Sequence, residues 1–203
     1  MRKSDKLVRG IGIKGMTYFT KIGGKNVKEY DLWSSMLERC TQKCWDKYPT
    51  YTGVTCSENF KSYTYFYEWC QTQVGFKSKD ENGKSWNLDK DLLVKGNKVY
   101  SEDTCVFVPL RLNSLLIKCD TSRGEWPIGV CLPNNSKKFK SVCCTNGTRK
   151  QKHLGSFSTP QEAFQAYKTY KQALIKEVAN EYKYQLDPRV YEALMNYEVN
   201  END

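Results

Sequence analysis

The sequence has a single histidine, His153, and no long apolar run among its 203 residues. A membrane-spanning helix needs about 20 consecutive apolar residues, so we expect no membrane partner. The N-terminal stretch MRKSDKLVRG also lacks the apolar segment of a secretory signal peptide. These absences predict a soluble intracellular protein that is not secreted, with one large or two small domains. The single histidine also leaves few candidates for a catalytic base.

Nine cysteines are present, but an odd count in an intracellular protein does not predict a disulfide framework. Most are expected to be reduced, small apolar core residues. A zinc site made of four cysteines is the alternative, with the ligands Cys40, Cys44, Cys56 and Cys70. Their spacing differs from that of paired zinc knuckles, and Cys40 and Cys44 fit the apolar face of a helix. Core packing is therefore favoured, and zinc is not expected.

The net charge of +9 is unevenly distributed along the chain. Residues 1–28 contain eight lysines and arginines and one acid, whereas residues 126–161 contain six and no acid. A basic arm together with a basic strand region is the electrostatic pattern of a nucleic-acid-binding protein. The alternative is that these charges lie on solvated loops and serve solubility. The length of the acid-free stretch favours nucleic acid.

The first half of the chain predicts short helices and strands behind a glycine-rich arm. The arm, residues 1–28, carries GIGIKG and KIGGK and is expected to contain a short hairpin and to bury little. One helix is predicted by an apolar stripe at helical spacing, formed by Trp33, Met36, Leu37, Cys40 and Cys44. A second, aromatic helix is predicted near residues 60–70. A strand at LDKD, a glycine-containing loop, a strand over residues 105–108 and a short helix after Pro109 follow.

The second half predicts a small sheet that leads into a helix. Strands are expected over residues 129–132, 139–144 and 150–154. Thr159, Pro160 and Glu162 then form a capping box with a proline start, which begins a helix. Asp187 caps a terminal helix whose first turn contains Pro188. The fold class is therefore α+β.

The segment from Gly129 to Tyr167 resembles an AP2 DNA-binding domain. It reads GVCLPNNSKKFKSVCCTNGTRKQKHLGSFSTPQEAFQAY, and the match lies in the opening GV, Phe139, the HLG strand end, Phe157 and the helix pattern from Thr159. Upstream, three stretches resemble bacteriophage proteins of the HNH homing-endonuclease type that carry a C-terminal AP2 domain: YDLWSSMLERC, YPTYTGVTC and LDKDLLVKGNKVYSEDTCVFVP. The resemblance covers about residues 10–195.

The resemblance implies four segments, a DNA partner and a location in the cytoplasm of a bacterial host. The segments are a basic N-terminal arm (1–28), an HNH-like nuclease domain, active or degenerate (29–122), an AP2-like DNA-binding domain (123–185), and a C-terminal helix with an acidic tail (186–203). The nuclease part would be a small ββα region with flanking helices. The AP2-like part would be a three-stranded antiparallel sheet packed on a helix, with the sheet inserted in the DNA major groove.

An HNH site implies one divalent metal ion, here Mg²⁺, held by a strand carboxylate and a helix Asn or His, beside a His that activates water. The implied metal ligands are Asp89, Asp91 and Asn113, with Asp89 and Asp91 alternating on one face of a strand. Asn97 comes from the loop, and Lys90 stands where the family has its histidine. A lysine is protonated at neutral pH, so the catalytic set of Asp89, Lys90, Asp91, Asn97 and Asn113 lacks a strong base. The LDKD stretch can alternatively be a strand-to-turn motif with solvated charges.

Contacts to double-stranded DNA are expected from basic side chains in both halves of the chain. They are Arg39, Lys138, Lys140, Arg149, Lys150 and Lys152. Arg149 is the candidate for reading a base, because its planar fork can bond guanine through two donors. Phe139 and Val142 can share the side facing the helix only if a bulge lies between them, because strand residues alternate.

Two functions from different classes remain open. The first is metal-dependent nicking or cleavage of duplex DNA at a site read by the AP2-like domain. The second is a catalytically inactive DNA-binding protein on the same scaffold, which acts as a regulator or as an inhibitor of a host process. The carboxylates and asparagines favour the first, and the absent histidine favours the second.

Overall fold

The computed structural model describes residues 6–116, 125–145 and 151–201. The protein divides into two units, residues 1–108 and residues 109–203. Both combine helices with short strands, so the fold class is α+β, as predicted. The division at residue 109 comes earlier than the start at residue 123 that the resemblance implies for an AP2-like domain. No helix in the described ranges is long and apolar enough to cross a membrane.

Short elements make up the first unit. The helices are α1 (Lys28–Arg39), α2 (Gln42–Lys47) and α3 (Tyr63–Thr72), and the strands are β1 (Lys21–Ile22), β2 (Lys25–Asn26), β3 (Thr55–Cys56), β4 (Asn87–Asp89), β5 (Val99–Tyr100) and β6 (Val106–Val108). The strands pair two by two: β1 with β2 and β4 with β6 antiparallel, and β3 with β5 parallel. The β1–β2 pair is the hairpin predicted within the arm.

The apolar stripe predicted as one helix belongs to two helices. Trp33, Met36 and Leu37 are fully buried on α1, but α1 ends at Arg39, and Cys44 lies in α2. Thr41 causes the break, because its Oγ1 accepts a hydrogen bond from the N–H of Cys44 (3.3 Å) and donates one to the Glu38 carbonyl (2.7 Å). A threonine that caps the next helix ends the first one. The prediction of a single continuous helix was wrong.

The glycine-rich arm is attached to the first unit through its backbone. The N–H of Ile13 donates to the Lys61 carbonyl (2.8 Å), and the Ile13 carbonyl accepts from Tyr63 (3.0 Å). Gly12 is buried, and a Cβ there would lie 2.3 Å from Leu37, so only glycine allows this approach. Most arm side chains remain exposed, including Phe19 at 80%. The arm therefore buries few side chains, as expected, yet its backbone is held in place.

The second unit contains the predicted sheet and its helix. Its elements are α4 (Leu110–Leu115), β7 (Val130–Cys131), β8 (Phe139–Cys144), β9 (Gln151–Phe157), α5 (Pro160–Glu181) and α6 (Pro188–Met195). The strands form an antiparallel sheet in the order β7-β8-β9. The capping box is confirmed, since Thr159 Oγ1 accepts from the N–H of Glu162 and the Glu162 carboxylate accepts from the N–H of Thr159, both at 3.2 Å. Asp187 caps α6, also as predicted.

The core of the second unit lies between the sheet and α5. Its buried residues include Cys143 from β8, Phe164 and Tyr167 from α5, and Val199 from the C-terminal segment. The C-terminal residues therefore return to the sheet and close its core. Gly129 has a φ of +77°, and a Cβ there would lie 2.1 Å from the Tyr167 ring. The glycine at the start of β7 is required both by its left-handed backbone and by this contact.

Candidate functional site

The sheet of the second unit has one buried and one open face. Ser141 and Cys143 on β8 are 0% and 1% exposed and lie toward α5. Because side chains alternate along a strand, Lys140, Val142 and Cys144 lie on the opposite face. Among the described residues of the second unit, no helix covers this opposite side of the three-stranded sheet.

A bulge decides which β9 residues reach the open face. Ser141 pairs with Gly155 and Val142 pairs with His153, so Leu154 is an extra residue in β9. A bulge of this kind shifts the alternation of the strand that contains it. The bulge lies in β9 and not in β8, so Phe139 and Val142 are on opposite faces.

We define the free face as the side of this sheet away from α5. Cross-strand pairing assigns its residues: Cys131 from β7, Lys140, Val142 and Cys144 from β8, and Gln151, His153 and Ser156 from β9. Ser156 Oγ lies 3.5 Å from His153 Nε2, and both side chains are exposed. The face combines hydrogen-bond donors and acceptors with one lysine, and residues 126–161 contain no acid.

The predicted DNA contacts of the second unit occupy different positions. Lys140 lies on the free face, and Lys138 is exposed just before β8, where its N–H donates to Ser136 Oγ (3.0 Å). Lys152 pairs with Cys143 and so lies on the α5 side, with its Nζ 4.6 Å from the centre of the Tyr170 ring. Arg149 and Lys150 fall outside the described residues. The free face includes His153 and Ser156, which the sequence reasoning missed because it could not locate the bulge.

Arg39 is packed inside the first unit. Its Nη1 donates to the Tyr100 hydroxyl (3.0 Å), and its guanidinium lies 5.5 Å from the centre of the Tyr51 ring. These contacts connect the end of α1 to β5. If Arg39 also binds DNA, as predicted, this half-buried side chain must contact the DNA in addition to its contacts with Tyr100 and Tyr51.

The loop after β4 holds the two predicted metal-binding aspartates. Asp89 ends β4, and its Oδ1 accepts from the backbone N–H groups of Asp91 (2.9 Å) and Leu92 (2.8 Å). Asp91 lies beyond the strand, so the two carboxylates approach through this turn and not through strand alternation. Burial, followed by the negative charge of Asp91, raises the pKa of Asp89, and its two backbone hydrogen bonds and Lys90 oppose that rise.

Lys90 and Asn97 form a reciprocal clamp across the same loop. The buried Lys90 donates from Nζ to the Asn97 carbonyl (3.0 Å), and Asn97 Nδ2 donates to the Lys90 carbonyl (2.7 Å). Asn97 also donates to the Val99 carbonyl (2.8 Å) and to Thr104 Oγ1 (3.1 Å), while its Oδ1 accepts from the N–H of Val99. Lys90 Nζ lies 3.4 Å from Asp91 Oδ2. These contacts hold the loop closed. Lys90 and Asn97, both predicted to be catalytic, therefore stabilise the structure of the loop.

The loop after β4 contributes two of the three predicted magnesium ligands. Mg²⁺ prefers six oxygen ligands, and this loop offers the carboxylates of Asp89 and Asp91. One Asp89 oxygen is engaged by backbone N–H groups, and Asp91 is paired with Lys90. Asn113 lies on α4, in the second unit. Across the described ranges, no group of three or more His, Cys, Asp and Glu side chains is arranged to hold a metal ion.

The four cysteines considered as alternative zinc ligands have different neighbours. Cys40 donates from Sγ to the Met36 carbonyl (3.4 Å), and Cys44 is buried on α2. Cys70 is fully buried on α3, and burial raises the pKa of its thiol. The ionisable neighbours of Cys70 are Glu29, Lys28 and Cys105.

No family model, curated protein or solved structure matches this chain. Function therefore has to follow from the residues themselves. Two features carry side chains that could bind a ligand or a metal ion. They are the free face of the sheet and the carboxylates of Asp89 and Asp91.

Proposed function

We propose that the protein binds double-stranded DNA through the free face of the β7-β8-β9 sheet, in the manner of an AP2 domain. The observation that carries the proposal is an exposed sheet surface in an acid-free stretch, whose opposite surface is fixed on α5. A two- or three-stranded ribbon fits the width of the major groove, where base edges present distinct patterns of donors and acceptors. Gln151, His153 and Ser156 supply side chains that can bond those edges.

The rigidity of the sheet supports this use. Phe164 and Tyr167 pack against it from α5, and the capping box fixes the start of that helix. A reading surface held by a packed core loses little conformational entropy on binding. Lys137 and Lys138 are exposed beside the sheet, and we expect them to contact phosphates.

Metal-dependent cleavage by an HNH-type site is the second candidate function. The observation that favours it is the approach of the Asp89 and Asp91 carboxylates at the end of β4, where burial and mutual repulsion raise the pKa of Asp89. A divalent cation would relieve that repulsion. Lys90, however, is engaged in the clamp with Asn97, and the sequence of the first unit contains no histidine. The geometry therefore favours DNA binding without cleavage, as expected of a regulator or an inhibitor of a host process.

Binding is tested with a labelled duplex of mixed sequence and the full-length protein. Lys140→Ala should weaken binding to all duplexes alike. The slope of log affinity against log salt concentration should become shallower by about one unit, the contribution of one phosphate contact. The matched control is Lys183→Ala, which removes an exposed lysine of the same unit away from the sheet. Equal affinities of the two variants would contradict an interface on the free face.

Cleavage is tested separately with supercoiled plasmid in Mg²⁺ or EDTA. Asp89→Asn keeps an oxygen for the two backbone hydrogen bonds and removes the charge that a metal needs. The control is Glu81→Gln, which removes an exposed charge in the same unit. Nicking that needs Mg²⁺ and is lost only in Asp89→Asn would establish the nuclease and overturn the choice of a non-catalytic protein.

A further inference from the structure

The hairpin of the N-terminal arm carries an apolar side chain at its tip. Gly23 and Gly24 connect β1 to β2, with φ values of +57° and +79°. Two successive residues at positive φ form the tight turn that matches the twist of a two-stranded ribbon. Ile22 comes directly before this turn, pairs with Lys25 and is 70% exposed. The turn therefore places an exposed isoleucine at the end of a narrow ribbon.

The register of the hairpin determines which way Ile22 faces. Lys21 pairs with Asn26, so these two side chains share one face of the ribbon, and Ile22 and Lys25 share the other. Asn26 Nδ2 donates to Asp31 Oδ1 on α1 (2.6 Å). The face with Lys21 and Asn26 is therefore the one turned toward α1. Ile22 and Lys25 point away from it.

The chain that leads into the hairpin is attached to the aromatic residues of the first unit. The Tyr63 hydroxyl donates to the Phe19 carbonyl (3.2 Å). The ring of Tyr18 stacks on that of Tyr67, with the two centroids 3.9 Å apart. The backbone of Phe19 is thus held in place, while its side chain is 80% exposed. A second apolar side chain is therefore presented to solvent from a fixed position.

The charges next to these two apolar side chains are positive. Lys21 and Lys25 are exposed on the hairpin, and residues 6–28 contain no acid. Within the described ranges, neither lysine forms a salt bridge with a carboxylate. Such a surface is complementary to a polyanion that also offers apolar surface. Duplex DNA has this combination, because its stacked bases lie between two chains of phosphates.

We propose that the arm hairpin enters the minor groove of duplex DNA and inserts Ile22 and Phe19 as apolar wedges that unstack base steps and kink the duplex. The inference rests on the proposed function and adds a second kind of DNA contact to it. Apolar side chains inserted between base steps bend a duplex by about 20–90°. An anionic membrane shares the chemistry of the partner, but interfacial anchors use amphipathic helices, whereas residues 13–26 contain no helix.

The test measures bending in complexes saturated with the full-length protein, on a short duplex with a fluorophore at each end. We expect the wild-type protein to shorten the distance between the ends and to make thymines at the unstacked step reactive to permanganate. Ile22→Ser and Phe19→Ser should each reduce both signals, and the double variant should abolish them. Val94→Ser is the matched control, because Val94 is a 53% exposed apolar residue of the same unit. Bending that persists in the double variant, or that is lost equally in Val94→Ser, overturns the proposal.

Failure of the wedge and failure of the free face give different results. Lys140→Ala should lower the affinity but leave the bend of the saturated complex unchanged. A duplex that is bound through Lys140 and stays straight overturns the wedge alone. Bending that depends on Ile22, with the affinity unchanged in Lys140→Ala, supports the wedge and overturns the free face alone. No binding to any duplex overturns both.

The membrane alternative is tested with vesicles of phosphatidylserine and phosphatidylcholine. We expect the wild-type protein and Ile22→Ser to sediment with these vesicles to the same small extent. Vesicle binding that is lost in Ile22→Ser, together with a duplex that stays straight, would assign the hairpin to a membrane surface and overturn the proposal.

Discussion

The two units use their polar residues in different ways. In the first unit, strands of two or three residues are held together by side chains that cross loops, such as Lys90, Asn97 and Arg39. In the second, a continuous sheet packs on the 22-residue helix α5, and apolar residues on one side provide the core. Within the second unit, therefore, α5 covers only one face of the sheet. In the first unit, the residues that resemble a catalytic set are largely used to hold the structure.

The sheet and α5 should depend most strongly on Gly129. Gly129→Ala introduces a Cβ at 2.1 Å from Tyr167 and a residue at positive φ. We expect overpacking and backbone strain together to lower the free energy of unfolding by about 4 kcal/mol. Urea denaturation followed by residue-specific hydrogen exchange should place the loss in residues 109–203.

Gly83→Ala is the control for that change, because Gly83 also has a positive φ but open space around it. It should cost about 1 kcal/mol. If both substitutions lower the free energy of unfolding by the same amount, the contact between Gly129 and Tyr167 contributes nothing beyond the backbone strain. The packing of the sheet on α5 would then be less important than we infer.

The first unit should depend on its polar clamp. Asn97→Ala removes the partner of the Lys90 carbonyl and of the N–H of Val99. Leaving these groups unpaired should lower the free energy of unfolding by about 3 kcal/mol, with DNA affinity unchanged. Thermal unfolding and duplex titration of the same sample measure both quantities. A stable variant with weakened DNA binding would assign Asn97 to the interface instead.

Sequence discrimination should reside in the second unit. Arg149→Ala should cost on the order of 1–3 kcal/mol on the preferred site and flatten the sequence preference. A binding competition between the preferred site and a random duplex measures the ratio of the two affinities. Lys138→Ala is the comparison, because a lysine that contacts phosphate should weaken both affinities equally. If Arg149→Ala lowers both affinities by the same factor, Arg149 contacts phosphate and does not read a base.

The smallest effect is expected at Asp89, through pH. Its pKa is raised in the folded protein, so the charged carboxylate destabilises the fold at neutral pH. Asp89→Asn should therefore be more stable than the wild type at pH 7. The advantage should shrink as pH falls and disappear below the unfolded carboxyl pKa of about 3.9, where the aspartate is neutral in both the folded and the unfolded protein. An advantage that does not change with pH would show that neither the burial of the charged carboxylate nor its repulsion from Asp91 is the cause.

Local sequence determined the ends and order of the elements in the second unit. Thr159 and Glu162 act on backbone groups three residues away, and Asp187 acts on the N–H of Arg189 two residues away. Such contacts form whenever the residues are in these positions, because they need no partner from elsewhere in the chain. The starts of α5 and α6 were predictable for this reason.

Only the tertiary structure decided which side chains reach a functional surface. The bulge at Leu154 puts His153 on the free face and Lys152 beside Tyr170, because the pairing of β9 with β8 sets the alternation. Arg39 is packed by Tyr100, a residue 61 positions away. Contacts between distant residues depend on the whole packed arrangement, and no pattern within a short window of sequence contains them.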